Sequence, residues 1–591
     1  MMLPPIVPYA FQRVPRLLAP LGVVYGIQRL LQSLHLDVAT ELPLWAWILL
    51  YIASFPLAVA MGVFYEEWRD ALHARKHGAI IPPRVYDKWP GGLTLLNELM
   101  DNFTCGYPGE PVQKWARDYG HIMSIRILFA NGIFTSEPEH LKAILASQFD
   151  AFEKGPAFIH SMKSLLGTGV FNSDGELWKF HRSMTRPFFS RERISHFELF
   201  GRKADVAVEQ LKARLREGYA VDIQDAASRF TLDSATEFLF GQNVNSLSAG
   251  LPYPYTAPQT SSYNHPANQF ARAFGTAQHE AANRFRLGLE WPLMEPFRHR
   301  TQDSMDIVHA FVDPLLSEAL SKKRARERIG VPQDKELTDE DTLLDYLVKH
   351  TDDQTLLRDE ILNIMIAGRD TTATTITFAV YMLAQHPKVF AQLREEILTK
   401  VGPSRSPTYE DLRELKYLRA VINETLRLYP VVPFNSRTSR KAVLLPSKAG
   451  EQPFYIAPNT EVSYSVWVMH RRTDLWGPDA LDFDPDRFLD DRLSKYLTPN
   501  PFIFLPFNAG PRICLGQQFA YNESSFFLVR LLQAFNDIKL APESQPPESR
   551  APPEWAGLPG AKGRETIQPK SHLTLYAQDG IWIKMHEDSS N

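Results

Sequence analysis

The sequence predicts a mainly α-helical chain with a smaller β region (α+β) and one membrane-spanning helix near its N-terminus. Three observations predict this class: an uncharged apolar run at residues 42–65, amphipathic helical periodicity from Pro111 onward, and a few short β-branched runs. The 591 residues are 44% hydrophobic and 12% aromatic, which suits a large core and excludes a wholly disordered chain. The net charge of −4 argues against nucleic-acid binding, and two cysteines are too few for a disulfide framework.

The first predicted element is a transmembrane anchor at residues 42–65. These 24 residues contain no Asp, Glu, Lys, Arg or His, and a helix needs about 20 residues to span a bilayer. Pro43 suits the start of the helix, and Pro56 is expected to kink it. A buried soluble helix is the alternative, but such helices rarely run so long without a charge. A cleaved signal peptide fits less well, because the run begins far from Met1 and ends without a small-residue cleavage site.

Charges around the anchor predict its orientation. One basic residue, Arg29, precedes the span within about 20 residues, and four follow it: Arg69, Arg75, Lys76 and Arg84. We therefore expect a single-pass anchor with the C-terminal body in the cytosol. Residues 1–41 are predicted to form an N-terminal interfacial segment, because their apolar run is interrupted by arginines. Residues 66–84 are predicted as a linker with a Pro hinge, and residues 85–591 as one domain.

Short strands are predicted where β-branched residues cluster, at residues 122–134, 443–445, 461–468 and 573–585. The last of these is expected to be a hairpin that turns at Asp579-Gly580. Two further segments are predicted to be inserted surface loops: residues 245–268, rich in Ser, Tyr and Pro, and residues 542–569, rich in Pro. No Gly-rich phosphate-binding loop follows a strand, so electrons would have to come from another protein.

The most informative segment is Phe507-Asn-Ala-Gly510-Pro-Arg512-Ile-Cys514-Leu-Gly516, directly before a predicted helix. A thiolate that coordinates iron needs a loop whose backbone N–H groups point at the sulfur, and the two glycines permit close approach. The helix N-terminus adds positive partial charge, Phe507 is placed to shield the sulfur, and Arg512 is placed to meet an anionic cofactor edge. A lone cysteine is usually inert packing. A chance match of the five fixed positions of FxxGxRxCxG, however, is on the order of 10⁻⁵ for this chain.

On these residues the sequence resembles the cytochrome P450 family, whose haem-binding loop carries this pattern with the cysteine as thiolate ligand. The resemblance implies a cytochrome P450 fold with a b-type haem (iron protoporphyrin IX), with Cys514 as its axial ligand and dioxygen as co-substrate. It covers roughly residues 85–590. Cys105 lacks such a sequence frame, and we expect it to be a structural thiol.

A second motif lies on a helix predicted from residue 355 to 385, which is apolar nearly all round. It reads Ala367-Gly-Arg-Asp370-Thr371-Thr372. A buried acid beside a hydroxyl favours a chemical role; the alternative is a Thr that bonds back to a carbonyl one turn earlier and an Asp on a wet face. The segment resembles the family's AGx(D/E)T(T/S) motif. This implies that Thr371 stabilises dioxygen at the haem and that Asp370 relays protons for O–O cleavage, while Ala367, in place of an esterifying Glu, implies a non-covalent haem.

Other motifs resemble the family's structural and haem-contacting residues. Glu424 and Arg427 are three residues apart on one helix face, and Arg487 lies in an element similar to the family's PERF sequence. The resemblance implies that these three form a buried triad that supports folding without a role in the chemistry. Haem propionates need cationic partners. The residues that the resemblance assigns to them are Trp178 and Arg182 of a WxxxR motif, Arg512, and Arg437, for which a solvated surface charge is the alternative.

Three stretches are most similar to fungal membrane-bound hydroxylases of n-alkanes and fatty acids: residues 173–189, 367–372 and 507–520. The resemblance implies hydroxylation of long-chain aliphatic substrates at or near the terminal carbon. It implies a separate NADPH-cytochrome P450 reductase as electron donor, cytochrome b5 as a further partner, and the endoplasmic reticulum membrane as the location. Positional analogy alone places the pocket at residues 152–166, Ile364, Ala367 and residues 433–435.

Two alternatives to this function stay open. A broad-specificity hydroxylase of aromatic or polycyclic xenobiotics would share the fold and the haem motifs, because pocket residues decide the substrate. A non-catalytic membrane-anchored haem protein, or a haem-thiolate isomerase that needs no dioxygen, belongs to a different class. The Asp370-Thr371 pair argues against this second alternative.

Overall fold

The computed structural model describes residues 3–34, 42–189, 197–258, 265–328, 341–448 and 450–588. Helices dominate and the sheets are small, which confirms the predicted class. The α-helices are α1 (Ile6–Ser33), α2 (Leu44–Lys76), α3 (Leu93–Cys105), α4 (Glu110–Tyr119), α5 (Pro138–Lys142), α6 (Gly155–Leu166), α7 (Gly175–Thr185), α8 (Phe197–Arg216), α9 (Ile223–Phe240), α10 (Pro266–Leu287), α11 (Gln302–Arg328), α12 (Leu343–His350), α13 (Gln354–Gln385), α14 (Pro387–Lys400), α15 (Tyr409–Glu414), α16 (Lys416–Leu428), α17 (Val466–Met469), α18 (Thr473–Trp476) and α19 (Gln517–Ala534).

The strands form one five-stranded sheet and three smaller ones. They are β1 (Ile122–Ile127), β2 (Ala130–Thr135), β3 (Phe152–Glu153), β4 (Val221–Asp222), β5 (Phe434–Ser439), β6 (Val443–Leu445), β7 (Phe454–Ile456), β8 (Glu461–Ser465), β9 (Phe535–Leu540), β10 (Pro569–Ser571), β11 (Leu575–Ala577) and β12 (Trp582–Glu587). The largest sheet has the order β1-β2-β8-β5-β3, in which β2 and β8 pair in parallel. The other sheets are β4-β12-β9, β6-β7 and β10-β11, all antiparallel.

Helix α2 contains the predicted membrane anchor. It is the one helix in the described part of the chain that is long and apolar enough to cross a membrane, and only 11% of its most apolar window is buried. The helix continues past residue 65 to Lys76, because residues 66–76 contain neither Gly nor Pro. The first half of the predicted linker is therefore helical. Glu67 in this extension forms ion pairs with Arg84 (2.5 Å) and Arg126 (2.8 Å), which fasten α2 to the body.

Helix α13 forms the centre of the body and contacts α9, α16 and α19. Its N-terminus is capped by the Asp353 carboxylate, which accepts hydrogen bonds from the N–H groups of Thr355 and Leu356. It ends at Gln385 because His386 precedes Pro387, which disfavours helical backbone at the preceding residue. The expected helix from residue 355 to 385 is thus confirmed, with one more residue at its start. Most of its second half is fully buried.

The predicted hairpin at residues 573–585 is wrong. Asp579 (φ 54°) and Gly580 (φ 83°) do form a turn, but β11 pairs with β10, whereas β12 pairs with β9 and β4. The six-residue β12 finds a partner of equal length in β9, while β11 has only three residues. The predicted strand at residues 461–468 also ends early, because the Ser465 side chain caps α17 by accepting a hydrogen bond from Val468 N–H.

The Pro-rich insertion at residues 542–569 is not only a surface loop. Its Glu565 carboxylate reaches the interior and accepts hydrogen bonds from three tyrosine hydroxyls, those of Tyr107 (3.0 Å), Tyr381 (3.1 Å) and Tyr429 (3.0 Å). Burial raises the pKa of Glu565, and the hydrogen bonds from the three tyrosines partly offset that rise. The insertion is therefore anchored in the core by one buried carboxylate.

Candidate active site

Cys514 lies in a loop that leads into α19. The N–H of Cys514 donates a hydrogen bond to the carbonyl of Phe507 at 3.0 Å, which closes the loop, and the N–H of Gly516 points at the sulfur. Burial raises the pKa of the Cys514 thiol, against the opposing effects of that N–H and of Arg182. The same side chain is nevertheless accessible. A thiol that is surrounded by protein and still accessible can be reached by a ligand.

The two glycines of this loop play different parts. Gly510 has a φ of 68°, and a Cβ at this position would lie 1.7 Å from the carbonyl oxygen of Leu145, so the close approach that the sequence predicts does require glycine. Gly516 has a φ of −81°, and a Cβ there would come no closer than 3.5 Å to Phe189. Gly516 therefore contributes its N–H group to the sulfur, and its backbone conformation does not require glycine. The Phe507 ring packs against Tyr521, with 5.1 Å between centroids.

Arg512 is fixed above the ring of Trp178. Its guanidinium carbon lies 4.4 Å from the Trp178 ring centroid. The guanidinium donates hydrogen bonds to the Asp174 carboxylate at 2.6 Å and to the Ser173 carbonyl at 3.1 Å. Trp178 thus contributes a buried aromatic platform for Arg512, which is consistent with the predicted role of both residues at a haem edge.

Arg182 and Arg437 lie beside the same loop without a carboxylate partner among the described residues. Arg182 donates a hydrogen bond to the carbonyl of Ile513 at 2.6 Å. Arg437, on β5, donates to the side-chain oxygen of Asn435 (3.0 Å) and to the carbonyl of Ser436 (2.6 Å), and only 3% of the residue is exposed. The surface-charge alternative for Arg437 is therefore excluded by its burial.

Lys154 joins this cationic group, and sequence reasoning missed it. Burial and the nearby Arg437 and Arg512 hold the pKa of Lys154 well below its usual range. Its ammonium lies 4.2 Å from the centroid of the Phe158 ring and forms no ion pair within the described part of the protein. No motif in Glu-Lys-Gly-Pro marks this lysine, so only its position in the fold identifies it.

These residues fit a haem. The accessible thiol would bind iron as a thiolate, and the N–H directed at its sulfur would moderate the electron donation of that thiolate. Three arginines and a lysine surround the loop. Among the described residues Asp174 is the carboxylate that pairs with this group, through Arg512, so the site carries a surplus of positive charge. Two haem propionates would neutralise that surplus. Cys514 would hold the iron, and Arg182, Arg437 and Arg512 would hold the propionates.

Asp370 and Thr371 form a second group, on α13. The Thr371 hydroxyl donates to the carbonyl of Ala367 at 2.6 Å, which is the back-bonded arrangement given above as the alternative. Asp370 is not on a wet face: its carboxylate lies 3.1 Å from the Arg369 guanidinium and accepts a hydrogen bond from Gln278 at 2.8 Å. Within the described residues no hydrogen bond or ion pair joins this pair to the cysteine loop.

The structure brings the predicted triad together in the interior. Arg427 donates two hydrogen bonds to the Glu424 carboxylate, at 2.7 and 2.8 Å, and Arg487 donates one at 2.9 Å. None of the three is more than 2% exposed. Arg427 also donates to the carbonyls of His470 and Ala480, so that one guanidinium ties α16 to the segments on either side of α18. This geometry supports the structural role that the sequence implied.

Comparison with known proteins agrees with this site. The family model described as Cytochrome P450 matches residues 91–562. Cytochrome P450 52A1 of Candida tropicalis is 39% identical over 443 residues, covering 72% of this chain and 76% of that protein. Cytochrome P450 52A3-A of Candida maltosa is 38% identical over 428 residues, covering 70% and 77%. Cytochrome P450 monooxygenase himC of Aspergillus japonicus is 38% identical over 497 residues, covering 84% and 81%. The chain therefore belongs to the cytochrome P450 family, and it is a monooxygenase.

Proposed function

We propose that this protein hydroxylates long-chain aliphatic substrates, n-alkanes and fatty acids, at or near the terminal carbon. It uses dioxygen and electrons that NADPH-cytochrome P450 reductase supplies, with cytochrome b5 as a further donor. The haem held by Cys514 supplies the activation of dioxygen. The residues of the chain bind the substrate, exclude water and move protons.

The observation that carries this proposal is an apolar wall on α6 and α10, where α6 packs against α13. The rings of Phe158 on α6 and Phe285 on α10 meet edge to face at 5.4 Å, and both are only half buried although they pack on a buried cluster. Leu573 packs on the same cluster. Ala367 lies one turn before Thr371 on the same face of α13. The side chains of Phe158, Phe285, Leu573 and Ala367 offer no hydrogen-bonding partner, which suits a saturated chain.

Asp370 and Thr371 are suited to holding and moving protons. The Thr371 hydroxyl can rotate away from the Ala367 carbonyl, and a hydroxyl both donates and accepts. The Asp370 carboxylate next to it is held from two sides by Arg369 and Gln278. This fixed geometry supports proton delivery by Asp370 through Thr371.

The membrane-facing side of the body supports entry of a lipid-dissolved substrate. The segment that follows α10 exposes four large apolar side chains, those of Leu289, Leu293, Met294 and Phe297, the last of which is 83% exposed. Helix α1 reaches this segment through an ion pair of Arg13 with Glu290. Exposed apolar groups next to a membrane helix are expected to contact lipid. We propose the endoplasmic reticulum membrane as the location, with the body in the cytosol.

Reconstitution tests this function. The purified protein, with reductase and NADPH in phospholipid, is given alkanes, fatty acids and polycyclic aromatics, and products are identified by mass spectrometry. We expect terminal alcohols, at least tenfold fewer with Thr371→Val, because that change removes the hydroxyl but keeps the shape. Thr377→Val is the matched control, since Thr377 lies deeper on α13 and bonds only the Ala373 carbonyl.

Other outcomes would favour the alternatives. Exclusively aromatic products would overturn the aliphatic substrate class and favour the xenobiotic hydroxylase. A protein that consumes no NADPH with any substrate and reductase would overturn the oxygenase function and favour a non-catalytic haem protein.

A further inference from the structure

The first turns of helix α1 are bound to the body. The N–H of Ile6 donates a hydrogen bond to the carbonyl of Pro296 at 3.2 Å. The Tyr9 hydroxyl and the Arg13 guanidinium both donate to the Glu290 carboxylate. These contacts fix the start of α1 to the segment that follows α10. The N-terminal end of α1 therefore lies on the same side of the molecule as the body.

The other end of α1 packs against the first half of α2, far from the body. The Tyr51 hydroxyl on α2 donates a hydrogen bond to the side-chain oxygen of Gln28 on α1 at 3.2 Å. Trp47 and Ser54 on α2 are buried. Partly buried side chains recur at intervals of three or four residues along one face of α1: Leu21, Val24, Gln28 and Leu31. Because α2 returns to the body, where Glu67 forms its ion pairs, the two helices form an antiparallel hairpin.

The two legs of this hairpin have the same length. Fifteen residues lead from Arg13 to Gln28 on α1, and fifteen lead from Tyr51 to Glu66, the first charged residue after the apolar run of α2. At 1.5 Å per residue each leg is about 22 Å long, and the helices continue for about 10 Å beyond the contact between Gln28 and Tyr51. The hairpin is therefore about 32 Å deep, which matches the roughly 30 Å of a hydrocarbon core.

The middle of each leg faces neither the body nor the other helix. All side chains of residues 14–19 on α1 and 55–62 on α2 are exposed. Apart from Arg16 these residues are apolar or glycine, and Leu18 and Leu57 are 56% and 60% exposed. Exposed apolar side chains on both legs, at the depth of the apolar run of α2, are expected to contact lipid.

Two arginines lie within the depth of the hairpin, each near one end of it. Arg16 follows Arg13 by about one turn, and Arg29 lies about 6 Å before the end of α1 at Ser33. Arginine side chains near helix ends extend to the polar interface. The 12 uncharged residues 17–28 then lie in the hydrocarbon, where packing against α2 supports this short stretch.

We propose that α1 crosses the membrane beside α2 as the second leg of a transmembrane hairpin, with the hydrocarbon of the bilayer as the partner of its exposed faces. The N-terminus then lies on the same side of the membrane as the body. This differs from the interfacial segment and the single-pass anchor that the sequence predicts, because the arginines of α1 mask its span and its contacts at both ends are not visible in the sequence. The hairpin does not depend on which substrate the enzyme uses.

Topology mapping of the full-length protein in sealed endoplasmic reticulum vesicles tests the side on which the N-terminus lies. The chain carries an N-terminal extension with an epitope and an Asn-Ser-Thr glycosylation site, and a second epitope at the C-terminus reports the side of the body. Haem content, from the thiolate Soret band, shows that the tagged protein folds. We expect the extension to stay unglycosylated and external protease to remove both epitopes, while a resident luminal protein stays intact. A glycosylated, protected N-terminal epitope beside a digested C-terminal one would overturn the hairpin.

A second measurement tests whether α1 lies inside the bilayer. Val23→Cys places a thiol in the middle of α1, where Val23 is 61% exposed, and Leu3→Cys places one before the helix, where Leu3 is 68% exposed. Both variants carry Cys105→Ser, which removes the exposed thiol outside the haem site. We expect a water-soluble maleimide to label Val23→Cys about tenfold less than Leu3→Cys, because the reagent does not enter hydrocarbon, and a lipid-soluble maleimide to label both. Equal labelling by the water-soluble reagent would place α1 on the membrane surface and overturn the hairpin.

Discussion

The side chain of Gln278 donates a hydrogen bond from Nε2 to the Asp370 carboxylate at 2.8 Å, which joins α10 to α13. Gln278 is 1% exposed, and its carbonyl oxygen has no partner within the described residues. The carboxylate is thus held by one group on its own helix, Arg369, and by one on a neighbouring helix. A change in the position of α10 would therefore also move a group that holds the Asp370 carboxylate.

Gln278→Leu should loosen Asp370 without removing it. We expect a smaller share of the NADPH electrons to reach product, with the ratio of product to NADPH falling about fivefold, because a misplaced acid delivers protons less efficiently. Product and NADPH consumption are measured in the same reaction. Gln385→Leu, at the far end of α13, is the control. An unchanged ratio in Gln278→Leu would show that this hydrogen bond does not position the carboxylate.

Gly510→Ala should abolish haem binding, because its Cβ would meet the Leu145 carbonyl oxygen at 1.7 Å and its backbone has a φ of 68°. We expect the haem content of the purified protein to fall at least tenfold, measured by the thiolate Soret band per mole of protein. Gly516→Ala is the matched control, since its φ is ordinary and its Cβ has space. Equal haem content in both variants would contradict the distinction drawn between the two glycines.

Glu424→Gln should destabilise the fold strongly, because it leaves Arg427 buried without a counter-charge and removes one of the two carboxylate partners of Arg487, the other being Asp479. Breaking a buried pair costs about 3–5 kcal/mol, whereas an exposed pair is worth about 0–1 kcal/mol. Urea unfolding of the full chain measures the difference. Glu110→Gln, which removes a more exposed pair with Lys562, is the comparison. Similar unfolding midpoints for the two variants would count against a structural triad.

Asp222 should make the protein less stable as the pH rises from about 5 to about 7. Burial, with Asp225 nearby, raises the pKa of Asp222 to about 7, although its carboxylate accepts hydrogen bonds from the Gln224 and Ile581 N–H groups. In the unfolded chain the Asp222 carboxyl ionises near pH 3.9. Between pH 5 and 7 only the folded state therefore keeps the proton, and the stabilisation that this proton gives is lost as the pH rises. The effect is on the order of 2 kcal/mol in the free energy of unfolding.

Asp222→Asn should flatten this dependence, measured by urea unfolding at the two pH values. Asp411 provides a control whose pKa shift has the opposite sign. Arg405 lowers the pKa of Asp411 to about 2, so the stability that Asp411 contributes is lost only as the pH falls below about 4. Asp411→Asn should therefore leave the slope between pH 5 and 7 unchanged. A slope that persists in Asp222→Asn would assign the dependence to another group.

The parts of the site that the sequence predicts are those encoded by neighbouring residues. The cysteine loop, the Asp370-Thr371 pair and the Glu424-Arg427 spacing each occupy a few consecutive positions, so residue type and helix periodicity suffice to find them. The central helix was predictable for the same reason, since its apolar surface continues to a proline that ends it. The fold class follows from these local patterns as well.

The remaining features depend on contacts between distant segments. Gln278 and Asp370 are 92 residues apart, and neither belongs to a pattern that names the other. Lys154 is an ordinary cation in the sequence, and only its burial beside Arg437 and Arg512 distinguishes it. The predicted hairpin at Asp579-Gly580 failed for a related reason: the turn is local, but the strand that pairs with β12 is chosen by the packing of the whole sheet.

The ion pairs of Glu67 with Arg84 and Arg126 connect the C-terminal part of helix α2 to the body. A helix of 33 residues is about 50 Å long, whereas the hydrocarbon layer is about 30 Å thick, so part of α2 stands outside it. These contacts lie beyond the most apolar part of α2, so they limit how far the body can move away from the membrane surface. A lipid-dissolved substrate of the kind proposed above would then reach the protein by lateral diffusion within the leaflet.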